Sequence, residues 1–283
     1  MAEASAPASC ANLGPGFDLL ALAIEIRCTV RAEPADQWTV EQTGLGRPTE
    51  GETDLVLAAA RTAVGDDGAF HLTVHSEIPV GRGLGSSAAA AAAGYAAARW
   101  ASGSSFEPSE AYHAASQSDG HPENAAAAVF GGLVAALPGR LPARLGINPR
   151  LAVVLAVPNF SLSTEQARRS LPRRVDLGVA VRSMARSLAL IEGLRTGDRT
   201  LLAAAGGDEL HELPRRSLNS QAEPLMRAAL DGGAFHACWS GAGPSVLAFA
   251  SPAAVGDVRR AMAEAMGESG QVLTPAVASR GLM

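Results

Sequence analysis

Hydrophobic and polar positions alternate along Leu19–Arg31 (LLALAIEIRCTVR), the pattern of a strand with one face against a core. The shorter segment Trp38–Gln42 is placed to pair with it. Asp54–Val64 changes to helical spacing, with Asp54 as its N-cap. Ala69–Glu77 (AFHLTVHSE) is strand-like again and runs into a glycine-rich turn. A helix then opens at Ser86 or Ser87 and carries six consecutive alanines, Ala88 to Ala93. A further helix over Pro108–Ser118 leads into the polar turn Asp119–Asn124, and Phe130–Leu137 returns as a strand. From Pro138 to Pro149 the chain is rich in proline, glycine and arginine, the composition of a linker.

A second unit follows. Leu151–Val157 (LAVVLAV) is the continuous apolar run of a buried strand, and Val175–Leu194 predicts a long helix. A shorter helix over Glu223–Leu230 precedes strands at Ala234–Trp239 and Ser245–Ala250, and Ala253–Met266 closes with a helix. Strands and helices mix without the strict alternation of a doubly wound sheet. The pattern therefore predicts an α+β fold in two domains, residues 1–148 and 149–283.

Composition narrows the class. A chain of 283 residues can bury ample core, and its net charge of −5, with no basic run interleaved with aromatics, argues against nucleic acid as a partner. The longest apolar stretch is broken by Gly94, Tyr95 and Arg99, so no membrane span is expected. Cys10, Cys28 and Cys238 are odd in number and lack metal-ligand spacing, as expected of reduced thiols in a cytoplasmic protein. The N-terminus lacks the positive start and apolar run of a signal peptide. No lysine occurs, so all 23 basic residues are arginines. Schiff-base chemistry on lysine is excluded, and phosphate charge must be met by backbone N–H groups, arginine and metal.

The strongest chemical signal is Pro79-Val80-Gly81-Arg82-Gly83-Leu84-Gly85-Ser86-Ser87, set between a strand and an alanine helix. Glycines let the backbone turn tightly and approach a ligand, and the helix N-terminus supplies free amides and a positive dipole end. This is an anion site suited to phosphate. It is not the P-loop, which needs a lysine, nor the dinucleotide fingerprint, whose glycine spacing is different. Four other segments admit two readings. Asn12–Asp18 is a surface turn or a substrate loop. Asp119, His121, Glu123 and Asn124 form a solvated loop or an oxygen-rich site for a hard cation or polar substrate. Trp239–Ser245 is a tight hairpin or a point of close approach for a ligand or the other domain. Arg168-Arg169 and Arg215-Arg216 are exposed pairs or carboxylate and phosphate anchors. His211, between Glu209 and Glu212, reads as a helix-surface histidine.

Taken in order, these segments resemble the GHMP kinase superfamily and, within it, the homoserine kinases. The resemblance rests on A-N-L-G-P-G-F-D at Ala11 to Asp18, the P-x-x-x-G-L-G-S-S-A loop, and the late S-G-A-G-P-S segment. It is strengthened by the His-Pro-acid-Asn turn at His121–Asn124, by L-S-T-E-Q-A-R-R-S-L-P from Leu162, and by Asp208-Glu209-Leu210-His211 running on to Arg215. The family often reads Glu-Gly-His-Pro-Asp-Asn where this chain has Asp119-Gly120-His121-Pro122-Glu123-Asn124. Some members place the acidic Mg²⁺ ligand at a spacing that lands here on His113.

The resemblance implies an N-terminal domain like ribosomal protein S5, a C-terminal ferredoxin-like domain, and a homodimer. It implies transfer of the γ-phosphoryl group of ATP, with Mg²⁺, to the side-chain hydroxyl of L-homoserine, a step toward threonine. Asp18 would bind the substrate ammonium beside Asn12, Arg168 and Arg215 its carboxylate, and His121 and Glu123 would line the same pocket. Asn124 would sit at the reacting hydroxyl. Pro79, Gly81, Arg82, Gly83, Leu84, Gly85, Ser86 and Ser87 would hold ATP, with Ser86 and Asp119 on the metal. Another GHMP small-molecule kinase, or a ligand-binding regulator of this fold without turnover, are the alternatives.

Overall fold

The computed structural model describes residues 1–45, 54–65 and 68–283 and contains two sheets, each covered by helices. The first is organised about one long strand, β2 (Leu20–Ala35). It pairs antiparallel with β1 (Ala2–Ala11), β4 (Ala69–Ser76) and β5 (Leu133–Ala135). At one edge β3 (Thr39–Gly44) runs parallel to β4; at the other β6 (Ala143–Leu145) pairs with β5. Sequence pattern placed β3 against β2, but β4 already occupies that side of β2 over Cys28–Ala35. The expected linker at Pro138–Pro149 contains β6, and the strand expected over Phe130–Leu137 contracts to three residues.

β1 went unforeseen because its alternation is of alanine and serine, with proline in the middle. The register with β2 shifts between Pro7 and Ala8, a bulge that accommodates proline. Small side chains are what the place demands. Ala4, Ala6 and Ala8 are buried, and α2 (Ser86–Ala101) packs on this strand with its own alanines buried. Alanine facing alanine lets helix and strand approach closely, so the composition of both segments has one cause.

α1 (Leu55–Val64) begins as expected, with Asp54 accepting the Leu57 amide hydrogen at 3.1 Å. The polar turn is shorter than its sequence suggests. α3 (Pro108–Asp119) runs through Asp119, Gly120 ends it with φ of 73°, and α4 (Pro122–Phe130) starts with proline in its first turn. Asp119 and Glu123 are thereby held on helix ends.

The second sheet has the order β10-β7-β9-β8 and is antiparallel throughout: β7 (Ala152–Pro158), β8 (His236–Trp239), β9 (Val246–Ala250), β10 (Gly270–Leu273). Val154 and Ala156 of β7 join a core with residues of α9 (Ala222–Asp231) and α10 (Val255–Met266). Val153 and Leu155 turn the other way, into a core continuous with the first sheet. Leu190 and Leu194 of α6 (Leu177–Thr196) and Leu202 of α7 (Arg199–Ala204) join that core. Short helices α5 (Thr164–Arg169) and α8 (Glu212–Arg215) complete the unit. Beyond β10 the chain returns to the first sheet: Ala278 donates to the Ala23 carbonyl at 2.9 Å, and Ser5 and Met283 exchange two backbone bonds.

His211 is not on the surface. It is fully buried with Asp208, Glu212 and Arg215, because α8 is driven into the seam between the sheets. Asp208 accepts the amide hydrogens of His211 and Glu212 at 2.7 and 2.9 Å, and Glu212 accepts that of Trp239 at 2.7 Å. Burial pushes the Glu212 carboxyl up to about 8, so it carries a proton at neutral pH. The unfolded chain has lost that proton, so the residue's contribution to stability falls as pH rises from the ordinary carboxylate range toward about 8. Glu212→Gln keeps an oxygen for the Trp239 amide and removes the titration. Its Tm is expected near the parent's at about pH 5 and above it at about pH 8. A Tm difference that does not change with pH would show that Glu212 is already ionised in the folded chain.

Candidate active site

The glycine turn joins β4 to α2 and lies where the two sheets meet. Gly81, Gly83 and Gly85 have φ of 68°, 71° and 63°, the left-handed region that favours glycine. Space requires glycine as well. A Cβ at Gly83 would strike the Ser240 carbonyl, one at Gly85 the Ser9 hydroxyl, and one at Gly81 would stand 2.8 Å from Ser161 Cβ. The turn is fastened from both sides. The Ser9 amide donates to the Leu84 carbonyl at 3.0 Å, the Ser240 hydroxyl to Gly83 at 2.7 Å, and the Leu162 amide to Gly81 at 3.0 Å. The hairpin at Trp239–Ser245 is thus both a β8–β9 connection and the second sheet's grip on this turn.

Along the turn runs a cavity of about 490 Å³. Its walls include Pro79, Gly81, Gly83, Leu84, Gly85, Ser86 and Ser87, and also Asn12, Asp18, Asp119, His121, Glu123, Asn124, Arg168 and Arg215. Every site residue expected from the sequence lines it except Arg82. That guanidinium donates to Asn159 at 2.6 Å and Val80 at 3.2 Å, tying the turn to the end of β7. His113 is exposed and lies outside the cavity.

One end of the cavity carries paired opposite charges. The turn after β1 holds three non-glycine residues at positive φ: Asn12 at 69°, Leu13 at 54° and Asp18 at 55°. Such conformations cost about 1–3 kcal/mol each and persist where surrounding structure enforces them. Asn12 accepts the Asp18 amide hydrogen at 3.0 Å and donates to Gly241 at 2.8 Å. Ser187 of α6 donates to Pro15 at 2.6 Å. Asp18 then faces Arg168 in a bidentate pair, at 2.8 and 2.9 Å, and the pair raises the Arg168 pKa.

Arg215 lies behind this pair. Its Nη1 donates to His211 Nδ1 at 3.0 Å and to Gly241 at 3.3 Å, and its Nε donates to Ala167 at 3.3 Å. The His211 Nε2–H donates to Gly14 at 2.8 Å, and burial lowers the imidazole pKa, so the ring is neutral. Burial also brings Arg215 down to about 10, which leaves it cationic at neutral pH. Phe17 organises the group: it stacks on His211 at 5.1 Å, with the guanidinium carbons of Arg168 and Arg215 at 5.7 and 5.4 Å from its ring centroid. Around Phe17 two guanidiniums thus stand against the one carboxylate of Asp18.

Between the charged end and the glycine turn sit the residues of α3 and α4. Ser87 donates to Asp119, whose side chain is nearly buried; Ser86 instead points at the Ile78 carbonyl, 3.5 Å away. His121 bonds the Asp119 backbone at 2.8 Å, and the Asp119 carboxylate raises its pKa. Glu123 is buried, accepts from Asn124 Nδ2 at 3.1 Å, and has its other oxygen without a partner among the described residues. Burial pushes it up to about 7. Asn124 Oδ1 accepts from Ser9 at 2.7 Å.

Sequence reasoning missed several residues here. Ser9 lies in the unforeseen strand β1. Phe17 lies within Ala11–Asp18, but nothing in its spacing marks it as a platform for two arginines. The far end of the cavity, walled by Cys28, Val56, Val74 and Ala90, was not anticipated. There Gln42 donates to the N-cap Asp54 at 2.9 Å, offering polar groups beside an apolar slot of the kind a nucleobase occupies.

Residues 54–132 match the family described as GHMP kinases N terminal domain, and residues 190–268 that described as GHMP kinases C terminal. The homoserine kinase of Moorella thermoacetica is 37% identical over 86% of this chain and 85% of its own length. That of Gloeobacter violaceus is 38% identical over 91% and 90%. The solved homoserine kinase of Cytophaga hutchinsonii superposes with a TM-score of 0.88 at 26% identity, covering 100% of this chain and 96% of that one. The solved mevalonate kinase of L. major shares the fold alone, with a TM-score of 0.75 at 14% identity. With both halves of the family's α+β fold in place and relatives matching over most of its length, the chain belongs to the GHMP kinases and, among them, to the homoserine kinases.

Proposed function

We propose that this protein transfers the γ-phosphoryl group of ATP to the side-chain hydroxyl of L-homoserine, giving O-phospho-L-homoserine and ADP on the route to threonine. It acts in the cytoplasm, as a homodimer, with a first domain over 1–148 and a second over 149–283. The observation that carries the reading is one cavity with a zwitterion-matched end and an anion-binding turn. Asp18 meets the substrate ammonium beside Asn12, while Arg168 and Arg215 take its carboxylate. Asp18 and Arg168 satisfy each other within the chain. A bound amino acid substitutes its own two charges for that pair, so neither side chain is left unpaired.

At the other end, amides at the start of α2 and within the glycine turn receive the ATP phosphates. The converging hydroxyl and carboxylate of Ser87 and Asp119 fit Mg²⁺, which takes one or two protein oxygens and completes its shell with phosphate and water. Ser87 is favoured over Ser86 because the Ser86 hydroxyl is turned to Ile78. Ser87 and Asp119 would hold Mg²⁺ there, and the ion would supply positive charge against the phosphates. The homoserine oxygen forms the new bond to the γ-phosphorus as the bond to the β,γ-bridging oxygen breaks, ADP leaves with that oxygen, and the hydroxyl proton passes to solvent water. Asn124, held by Ser9 and Glu123, retains an amide hydrogen to orient that hydroxyl. Catalysis rests on positioning and charge stabilisation.

The direct test is ADP release with Mg-ATP and L-homoserine, L-serine, L-threonine or no acceptor. Turnover well above background with homoserine alone is expected; ATP binding without homoserine-dependent turnover would overturn the reading. Asp18→Ala is expected to raise KM for homoserine at least about 30-fold, the loss of a charge-assisted contact of about 2 kcal/mol, with far less change for ATP. Equal effects on both substrates would remove Asp18 from the ammonium site. Ser87→Ala is expected to lower kcat and raise the Mg²⁺ concentration needed for half-maximal rate, whereas Ser86→Ala leaves that concentration near the parent's. The opposite ranking would return the metal contact to Ser86.

A further inference from the structure

The first half of α6 exposes large apolar side chains in a pattern that nothing in the catalytic reading uses. Leu177 is 80% exposed, Val181 51%, Met184 58% and Leu188 70%. A turn of helix takes about 3.6 residues, so steps of four, three and four place these four in one stripe along the helix. The buried residues of the same helix, Ser183, Leu190 and Leu194, lie on another face. The stripe is therefore not the edge of the chain's own core.

Two features identify what fits it. First, the spacing reads the same from either end. When two such helices run antiparallel about a two-fold axis near residues 182 and 183, Leu177 meets the partner's Leu188 and Val181 the partner's Met184. Alternating steps of three and four are those of a helical seam packed knobs-into-holes. A palindromic stripe is self-complementary, as an isologous contact requires. Second, the exposed area supplies more than half of what a second copy needs. The four side chains present on the order of 500 Å², and the small flanking residues Gly178 and Ala185 permit close approach, against about 800 Å² per partner in a standard interface. Antiparallel pairing also opposes the helix dipoles.

We infer that the Leu177–Leu188 face of α6 is the interface through which two copies of this chain pair, in an antiparallel, two-fold arrangement. This rests on the homodimer proposed above and assigns its surface. The contact is coupled to the active site by position, since Ser187 on the same helix holds the Pro15 carbonyl of the Asn12–Asp18 turn.

Sedimentation equilibrium of the parent chain at micromolar concentration is expected to give a dimer, and Met184→Glu a monomer that keeps the parent's circular-dichroism spectrum, because the side chain is exposed on the single chain. Disulfide trapping under a mild thiol oxidant fixes the register. The three native cysteines are buried, with Cys10 pushed up to about 12 and Cys28 to about 11, so they contribute little background. Leu177→Cys/Leu188→Cys is expected to form a covalent dimer. Leu177→Cys alone is not, since its two copies lie about 16 Å apart in this register. A dimeric Met184→Glu variant would leave the homodimer standing and overturn the seam. Cross-linking by Leu177→Cys alone would overturn the antiparallel arrangement. A monomeric parent chain would overturn both, while the ADP-release assay would still judge the catalytic reading.

Discussion

The glycine turn cannot hold its shape alone; it is clamped between two sheets. Leu84 is held by Ser9 of β1, Gly83 by Ser240 of the β8–β9 hairpin, and Gly81 by Leu162 before α5. The same hairpin presents the Gly241 carbonyl to Asn12 and Arg215. The glycine turn and the Asn12–Asp18 turn are therefore set by one seam, which fixes the distance between the two ends of the cavity. That distance is what a phosphoryl transfer must control, because a misplaced acceptor loses most of the advantage of being bound.

Charge is the second constraint. Without lysine, the chain meets anions with amides and guanidiniums, which suits planar, two-toothed recognition of carboxylate. The cost is a set of charges that must not be stranded when no substrate is present. Asp18 and Arg168 pair across the seam, Arg215 donates to two backbone carbonyls and a neutral histidine, and Phe17 packs against both guanidiniums. Buried Glu123 and Glu212 avoid the penalty differently, by holding protons more tightly than an exposed carboxyl would.

Much of this was readable in the sequence where local rules dominate. β4, the glycine turn and α2 follow directly from alternation, turn chemistry and alanine content. The Asp54 cap also formed where its sequence position required. What escaped depends on tertiary context. β1 is built of alanine, serine and proline, and becomes a strand only because α2 and β2 need small partners there. His211 sits among charged neighbours that suggest a surface, yet Asp208, His211, Glu212 and Arg215 are carried into the seam while Glu209 stays outside with Arg182 and Arg186. Asp119 and Glu123 read as loop acids, and only the helix ends on either side of Gly120 reveal their fixed orientation. The choice between Ser86 and Ser87 could not be made from adjacent identical residues, since it turns on the direction of one helix start.

The central claim is that the cavity's charged end recognises both charges of a zwitterion at once. Calorimetric titration with L-homoserine, 4-hydroxybutyrate and 3-aminopropan-1-ol tests it most directly, because the two analogues each keep the hydroxyl and lack one charged group. Each analogue is expected to bind at least about 30-fold more weakly than homoserine, the equivalent of one charge-assisted contact of about 2 kcal/mol. An analogue that binds as tightly as homoserine would contradict the claim and show that Asp18 and Arg168 remain paired to each other in the complex.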